Sequence, residues 1–159
     1  ILLAEAAQLL RLTRAAGIPL IINDRPDIAH ASGADGVHLG QDDLPVAAAR
    51  RLLGPERLIG KSTHSLGQAR AAEAEGPDYI GVGPIFSTPT KPDDEPVGLR
   101  LIGQVAEAVA VPAVCIGGID EGNIEQVLEA GAQRIAVVRA VCASEDPEAA
   151  ARNLKQKFV

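Results

Sequence analysis

The chain has 159 residues, enough for one domain with a sizeable core, and 47% of them are hydrophobic, which excludes compositional disorder. A net charge of −6 and only three aromatics, Phe86, Phe158 and Tyr79, argue against a nucleic-acid partner, an anionic membrane surface or a stacking platform for bases. No apolar run reaches membrane-spanning length and no signal-peptide pattern opens the chain, so a soluble, cytoplasmic protein is expected. Cys115 and Cys142 lie in apolar segments without metal-ligand spacing and are expected as buried small hydrophobes.

Taken in order, Leu2, Leu3, Ala6, Leu9, Leu10 and Thr13 recur at helical spacing and Gly17 stands where a C-terminal cap belongs. Pro19-Leu20-Ile21-Ile22 is a continuous apolar run of the kind buried on both faces of a parallel sheet, and it stops at Asn23-Asp24-Arg25. A short helix follows from Pro26. The pattern then repeats: strand Gly36–Leu39 with exit Gly40-Gln41-Asp42-Asp43, and helix Val46–Leu53. Leu58-Ile59-Gly60 leads to Lys61-Ser62-Thr63-His64 and a helix over Leu66–Glu75. Tyr79–Val82 runs into an irregular loop, Gly83-Pro84-Ile85-Phe86-Ser87-Thr88-Pro89-Thr90-Lys91, before a helix over about Leu99–Val109. Ala113–Ile116 exits through Gly117-Gly118-Ile119-Asp120 to a helix over Glu121–Ala130, and the last strand, Arg134–Val138, precedes Arg139 and a closing helix over Pro147–Lys157.

Six repeats of strand, polar exit loop and helix predict a parallel α/β sheet. An open doubly wound sheet and a (β/α)₈ TIM barrel compete. The first would carry a G-x-G-x-x-G turn after its opening strand, and none follows Ile22, so the barrel is favoured. A barrel has eight strands in roughly 250 residues. With six strands, no methionine, and Ile1 inside a helical pattern, the expectation is a single partial barrel domain over residues 1–159 that lacks its first β-α-β segment.

In a barrel all strand ends share one rim, so the exit loops should converge. Asp24 and Asp43 would then bring two carboxylates together. With no Cys or His ligand beside them they suit a hard cation such as Mg²⁺, although Asp24 could equally cap the helix at Pro26. Ser87, Thr88, Thr90 and Lys91 offer hydroxyls and a charge to an anion, or form an ordinary polar turn. Gly117-Gly118 and Val138-Arg139, read as preceding helices, could present backbone N–H groups to a phosphate or simply make tight turns. His38 alternates with strand residues and reads as a core histidine. His30 reads as structural or exposed, and His64 is the one histidine placed for proton transfer. Arg25 is expected to close a local ion pair.

Together these segments resemble the thiamine-phosphate synthase family from about Leu20 to the C-terminus. The resemblance rests on Ile22-Asn23-Asp24-Arg25, Gly36-Val37-His38-Leu39-Gly40-Gln41-Asp42-Asp43-Leu44, Ser62-Thr63-His64-Ser65, Gly83 to Lys91, and Ile116-Gly117-Gly118-Ile119. It implies a transferase of thiamine biosynthesis that joins an aminopyrimidine diphosphate to a thiazole phosphate. Asp24 and Asp43 would hold Mg²⁺, Asn23 would contact the pyrimidine, and Ser62 and Lys91 the diphosphate. Thr88 and Thr90 would bind the thiazole phosphate, helped by backbone at Gly118, Val138 and Arg139. It also implies that diphosphate leaves before the thiazole nitrogen attacks, so that positioning and charge stabilisation outweigh general-base work. The family's glutamine-arginine-lysine segment would lie before Ile1, so the chain alone is expected to be inactive, and Arg139 stands where many relatives carry a small hydroxyl residue. Rival readings are a thiazole tautomerase using His64 as base, and a non-catalytic phosphate-binding barrel that pairs through exposed strand edges. A homo-oligomer is compatible with these residues, which do not define the oligomeric state.

Overall fold

The computed structural model describes residues 2–158. Helix α1 spans Leu2–Ala15, followed by β1 (Ile21–Asn23), α2 (Pro26–Ser32), β2 (Gly36–Leu39), α3 (Val46–Leu53), β3 (Leu58–Thr63) and α4 (Leu66–Glu75). Then come β4 (Tyr79–Val82), α5 (Arg100–Ala108), β5 (Ala113–Ile116), α6 (Ile124–Glu129), β6 (Ile135–Ala136), α7 (Arg139–Cys142) and α8 (Pro147–Gln156). The strands form one sheet in the order β1-β2-β3-β4-β5-β6, and every neighbouring pair is parallel. A doubly wound sheet reverses its strand order at a switch point; this one never does, so the six strands make an open section of a (β/α) barrel.

Strand alternation separates two faces. Val37, Leu39, Ile59, Ile80 and Val82 face outward and are almost wholly buried under the helices, each burial stabilising the fold by about 1.5–3 kcal/mol. They form two cores. Val37, Leu39 and Ile59 pack with Ala29 of α2 and Val46 and Ala49 of α3. Ile80, Val82 and Cys115 pack with Ala69 and Ala72 of α4, Leu101 and Val105 of α5 and Val127 of α6. The inner face carries Asn23, His38, Gly60, Ser62, Tyr79 and Gly81, paired across the sheet as Asn23 with His38, His38 with Gly60, Gly60 with Tyr79 and Ser62 with Gly81. Gly60 is required there. A Cβ would fall 2.4 Å from Nδ1 of His38 and 2.2 Å from Cζ of Tyr79.

Local chemistry fixes the helix ends. Pro26 opens α2 and Gly33, at φ 73°, closes it with its N–H on the Ala29 and His30 carbonyls. Ser65 caps α4 by accepting the Gln68 N–H, and Asp146 caps α8 by accepting that of Ala149.

Several expectations change. Only Ala6 and Leu10 of α1 are buried, whereas Leu2, Leu3 and Leu9 are exposed, so its apolar stripe is mostly uncovered among the described residues. The last strand shrinks to Ile135–Ala136, because only Cys115 and Ile116 of β5 lie opposite it. Helix α6 begins at Ile124, three residues late: Asp120 accepts the Gly122 N–H, Asn123 accepts that of Asp120, and this side-chain turn replaces a first helical turn. Cys115 is buried and its thiol is pushed up to about 11 by desolvation, but Cys142 is exposed, since α7 buries none of its residues. No described helix is long and apolar enough to cross a membrane.

Candidate active site

The parallel strands deliver their C-terminal ends to one rim. At the end of β1, Asp24 adopts φ 62°, a left-handed conformation that side-chain-bearing residues seldom hold and aspartate tolerates better than most. This turns it away from α2, whose cap position is Arg25 with no side-chain cap bond. Capping is therefore not its role. Its pKa is raised instead, first by partial desolvation and then by the charge of neighbouring Asp43. The Lys91 ammonium and the neighbouring Asn23 side chain work in the opposite direction. Arg25 closes the expected local pair, its Nε donating to Asp27 Oδ1 at 2.8 Å, and holds the Asp27 carboxyl down at about 2.

Asp43 reaches this position through a closed turn at the end of β2. Its Oδ2 accepts the Gly40 N–H at 2.6 Å, and its own N–H points to the Gly40 carbonyl at 3.4 Å. Gln41 ties the same turn to β3 by donating from Nε2 to the Ser62 carbonyl at 2.6 Å.

Ser62 belongs to a polar chain on the inner face. His38 bridges its Oγ through Nε2 at 2.9 Å and the Tyr79 hydroxyl through Nδ1 at 3.0 Å. Desolvation first, then the Lys91 and Lys61 ammoniums, lower the pKa of this imidazole, while Asp43 raises it. A neutral ring with one N–H serves both partners, and this is the internally hydrogen-bonded histidine that strand alternation predicts.

The loop after β4 crosses towards this cluster. Lys91 is exposed, 3.8 Å from Asp94, yet its charge is felt at both Asp24 and His38. Thr88 organises the turn before it: its Oγ1 accepts the Thr90 N–H at 3.3 Å and its carbonyl that of Lys91 at 3.2 Å. At its root the loop lies on the β5 exit, with Ile85 N–H on the Ile116 carbonyl and Phe86 N–H on that of Gly117. Gly118, at φ 65°, packs so closely that a Cβ would lie 2.8 Å from both Phe86 Cβ and the Ser87 carbonyl.

The structure thus brings Asn23, Asp24, Asp43, Ser62 and Lys91 into one neighbourhood and sets Gly118 against the base of the Thr88–Lys91 loop. Gly118 is not at a helix N-terminus, as its carbonyl instead accepts from Asn123 Nδ2 and the turn before α6 intervenes. Val138 and Arg139 are exposed, and no side-chain hydrogen bond or ion pair among the described residues ties Arg139 to the others. His64 stands apart. Its Nδ1 contacts the Gly83 carbonyl at 2.5 Å, and the ring lines a cavity of about 770 Å³ beside Asp93, Asp94, Arg100 and Gln104. His30 is exposed on α2.

Sequence reasoning passed over Lys61 and Tyr79. Both carry a signal: Lys61 shares the outward face of β3 with Ile59, where a charge is uncommon, and Tyr79 is the one tyrosine of the chain, on a strand. No three His, Cys, Asp or Glu side chains form a metal-holding cluster among the described residues, so a cation at the rim would have at most the two carboxylates Asp24 and Asp43 from this set. Such a pair fits Mg²⁺, which commonly takes one or two carboxylates and completes its shell with water and substrate phosphates.

Strand order and a polar rim at the strand ends define the class: a (β/α)-barrel protein with a site built across several exit loops. Residues 2–141 match the family described as thiamine monophosphate synthase. The chain is 54% identical over 155 residues to thiamine-phosphate synthase of Chloroflexus aurantiacus, covering 97% of this chain and 71% of that one. It is 54% identical over 142 residues to that of Gloeobacter violaceus, covering 89% of this chain but 42% of the longer relative. The solved thiamine phosphate pyrophosphorylase of Pyrococcus furiosus superposes with a TM-score of 0.91 at 37% identity, covering 99% of this chain and 75% of that one. The chain belongs to the thiamine monophosphate synthase family.

Proposed function

We propose that the protein is a thiamine-phosphate synthase: a transferase that condenses an aminopyrimidine-methyl diphosphate with a thiazole phosphate, releasing diphosphate. Family membership and the names of its relatives support the activity. The observation that carries the site is that the β1 and β2 exits lie side by side, Asp24 donating its N–H to the His38 carbonyl at 2.8 Å beside the closed Gly40–Asp43 turn. A Mg²⁺ ion held by the two carboxylates supplies Lewis-acid stabilisation of the diphosphate. Lys91 adds a cation on the loop side, and Ser62, its hydroxyl oriented by His38, donates a hydrogen bond to the same leaving group. Asn23 faces the pyrimidine. Thr88, Thr90 and the backbone at Gly118 receive the thiazole phosphate, with Val138 and Arg139 at the edge of that subsite.

The C–O bond to diphosphate breaks first, leaving a pyrimidine-methyl cation whose charge the ring amine disperses. The thiazole nitrogen then supplies the electron pair for the new C–N bond. Diphosphate is a good leaving group and the nitrogen lone pair needs no activation, so the reaction asks for positioning and charge stabilisation and does not require the hydrogen-bonded Ser62 and His38 to act as nucleophile and base.

The test incubates the full-length protein with both phosphorylated precursors, with and without Mg²⁺, and follows diphosphate release. Metal-dependent release that requires both precursors is expected. Release absent with both precursors and Mg²⁺ present overturns the proposal.

A further inference from the structure

Lys61 and Thr63 are the buried polar side chains among the described residues, and Lys61 carries the charge. It lies on β3 between two inner-face residues, Gly60 and Ser62, so alternation turns it to the helix side of the sheet, and only 5% of it is exposed. A lysine is rarely buried without a partner, because removing its ammonium from water is costly. No carboxylate forms a salt bridge with it among the described residues. What it has is a backbone oxygen: Nζ donates to the Gly40 carbonyl at 2.7 Å. That carbonyl also faces the Asp43 N–H, while the Gly40 N–H is taken by Asp43 Oδ2. Gly40 is therefore gripped on both sides, by Asp43 through its N–H and by Lys61 through its C=O. A Cβ at Gly40 would stand 3.0 Å from Asp43 Oδ2, so a larger residue would disturb the turn.

We propose that Lys61 is a positioning residue for Asp43: its buried ammonium pins the Gly40–Asp43 turn to β3 and sets the carboxylate that faces Asp24. The inference rests on the reading of Asp24 and Asp43 as ligands of a divalent cation. A charge-assisted hydrogen bond is stronger than a neutral one and its direction is fixed. With Oδ2 committed to Gly40, the orientation of Oδ1 follows from the turn, and the turn is held by Lys61 from behind and by Gln41 from the Ser62 side. Groups behind metal ligands commonly change metal affinity 10–100-fold when removed.

The test uses Mn²⁺ alone, titrated into the full chain and followed by loss of the free-ion EPR signal, with thermal melting recorded in parallel. Lys61→Met fills the same volume without the donor. It should weaken Mn²⁺ binding about 10-fold or more with a cooperative melt retained, and raise the Mg²⁺ concentration for half-maximal turnover by a similar factor while kcat at saturating Mg²⁺ changes little. Lys61→Gln, which keeps a donor, should recover part of the affinity and serves where Lys61→Met does not fold. Wild-type affinity in Lys61→Met, or in Lys61→Gln where only that variant folds, overturns the inference, as does a fall in kcat with metal affinity unchanged. Asp24→Asn and Asp43→Asn are the controls. If the wild type binds no Mn²⁺, or both controls bind it unchanged, the carboxylate-pair reading fails and the Lys61 inference falls with it.

Discussion

The rim has two unlike halves. On the β1–β3 side, side chains hold one another: His38 bonds Ser62 and reaches across to Tyr79 of β4, Gln41 and Lys61 tie the Gly40–Asp43 turn to β3, and the charge of Asp43 bears on Asp24. On the β4–β6 side the backbone does most of the holding, with Asn123 Nδ2 on the Gly118 carbonyl as a side-chain tie. The β4 and β5 exits pair through main-chain hydrogen bonds, Thr88, Thr90 and Lys91 ride on an exposed turn, and Val138 and Arg139 are unsecured by side chains. Under the proposed function, a site that binds a metal–diphosphate and also admits and releases a second phosphorylated molecule would benefit from this division. Carboxylates close enough to repel need a rigid frame, whereas hydroxyls on a turn can follow a ligand.

The largest test of the rigid half removes its charge. Asp24→Ala and Asp43→Ala should each reduce Mg²⁺-dependent turnover by about 10³-fold or more, as loss of several kcal/mol of charge stabilisation requires. Equal rates in steady-state assays of variant and wild type would show that the pair is structural. Next comes the loop half. Lys91→Ala should lower kcat by about 10²-fold, the scale of one lost electrostatic contact, with the melting temperature unchanged because the side chain is exposed. A drop in melting temperature instead would mean that the loop belongs to the frame.

Where the halves meet, Gly118→Ala forces a Cβ against Phe86 and Ser87 at a left-handed φ. A cost of about 1–3 kcal/mol, or roughly 5 °C in a thermal melt, is expected. The smallest effect belongs to His38. Its folded pKa is lowered, so the unfolded chain binds the extra proton first as the solution is acidified. Its contribution is complete above the unfolded value near 6.5 and declines as pH falls from there towards the folded value. Denaturant titrations between pH 7.5 and 5 should show that slope, and His38→Gln should flatten it.

The same division explains what was legible in the chain. Continuous apolar strands ending in Asn-Asp, Gly-Gln-Asp-Asp and Ser-Thr-His announced parallel βα repeats and a polar rim, because burial on both faces and abrupt polar exits leave a local trace. Asp24 and Asp43 could be paired from that periodicity. Their meeting required Asp24 to turn left-handed, and a helix-capping aspartate is written with the same letter. The start of α6 was misplaced because Glu121-Gly122-Asn123 suits a helix end and a side-chain-stabilised turn alike. Lys61 was passed over since it opens a polar run, Lys61-Ser62-Thr63, that reads as a strand exit and does not reveal which face each residue occupies or that a carbonyl awaits the lysine.

One property of the sheet has a practical outcome. Since successive strands lie side by side and each hands its own short exit segment to the mouth, recognition of the two proposed substrates would be physically modular. The stretch from Phe86 to Gly98 returns to α5 beside its own origin, its last residues bonded to Pro84 and Ile85. A relative's version of that stretch could be transplanted whole, exchanging one specificity element while the carboxylate half keeps its geometry.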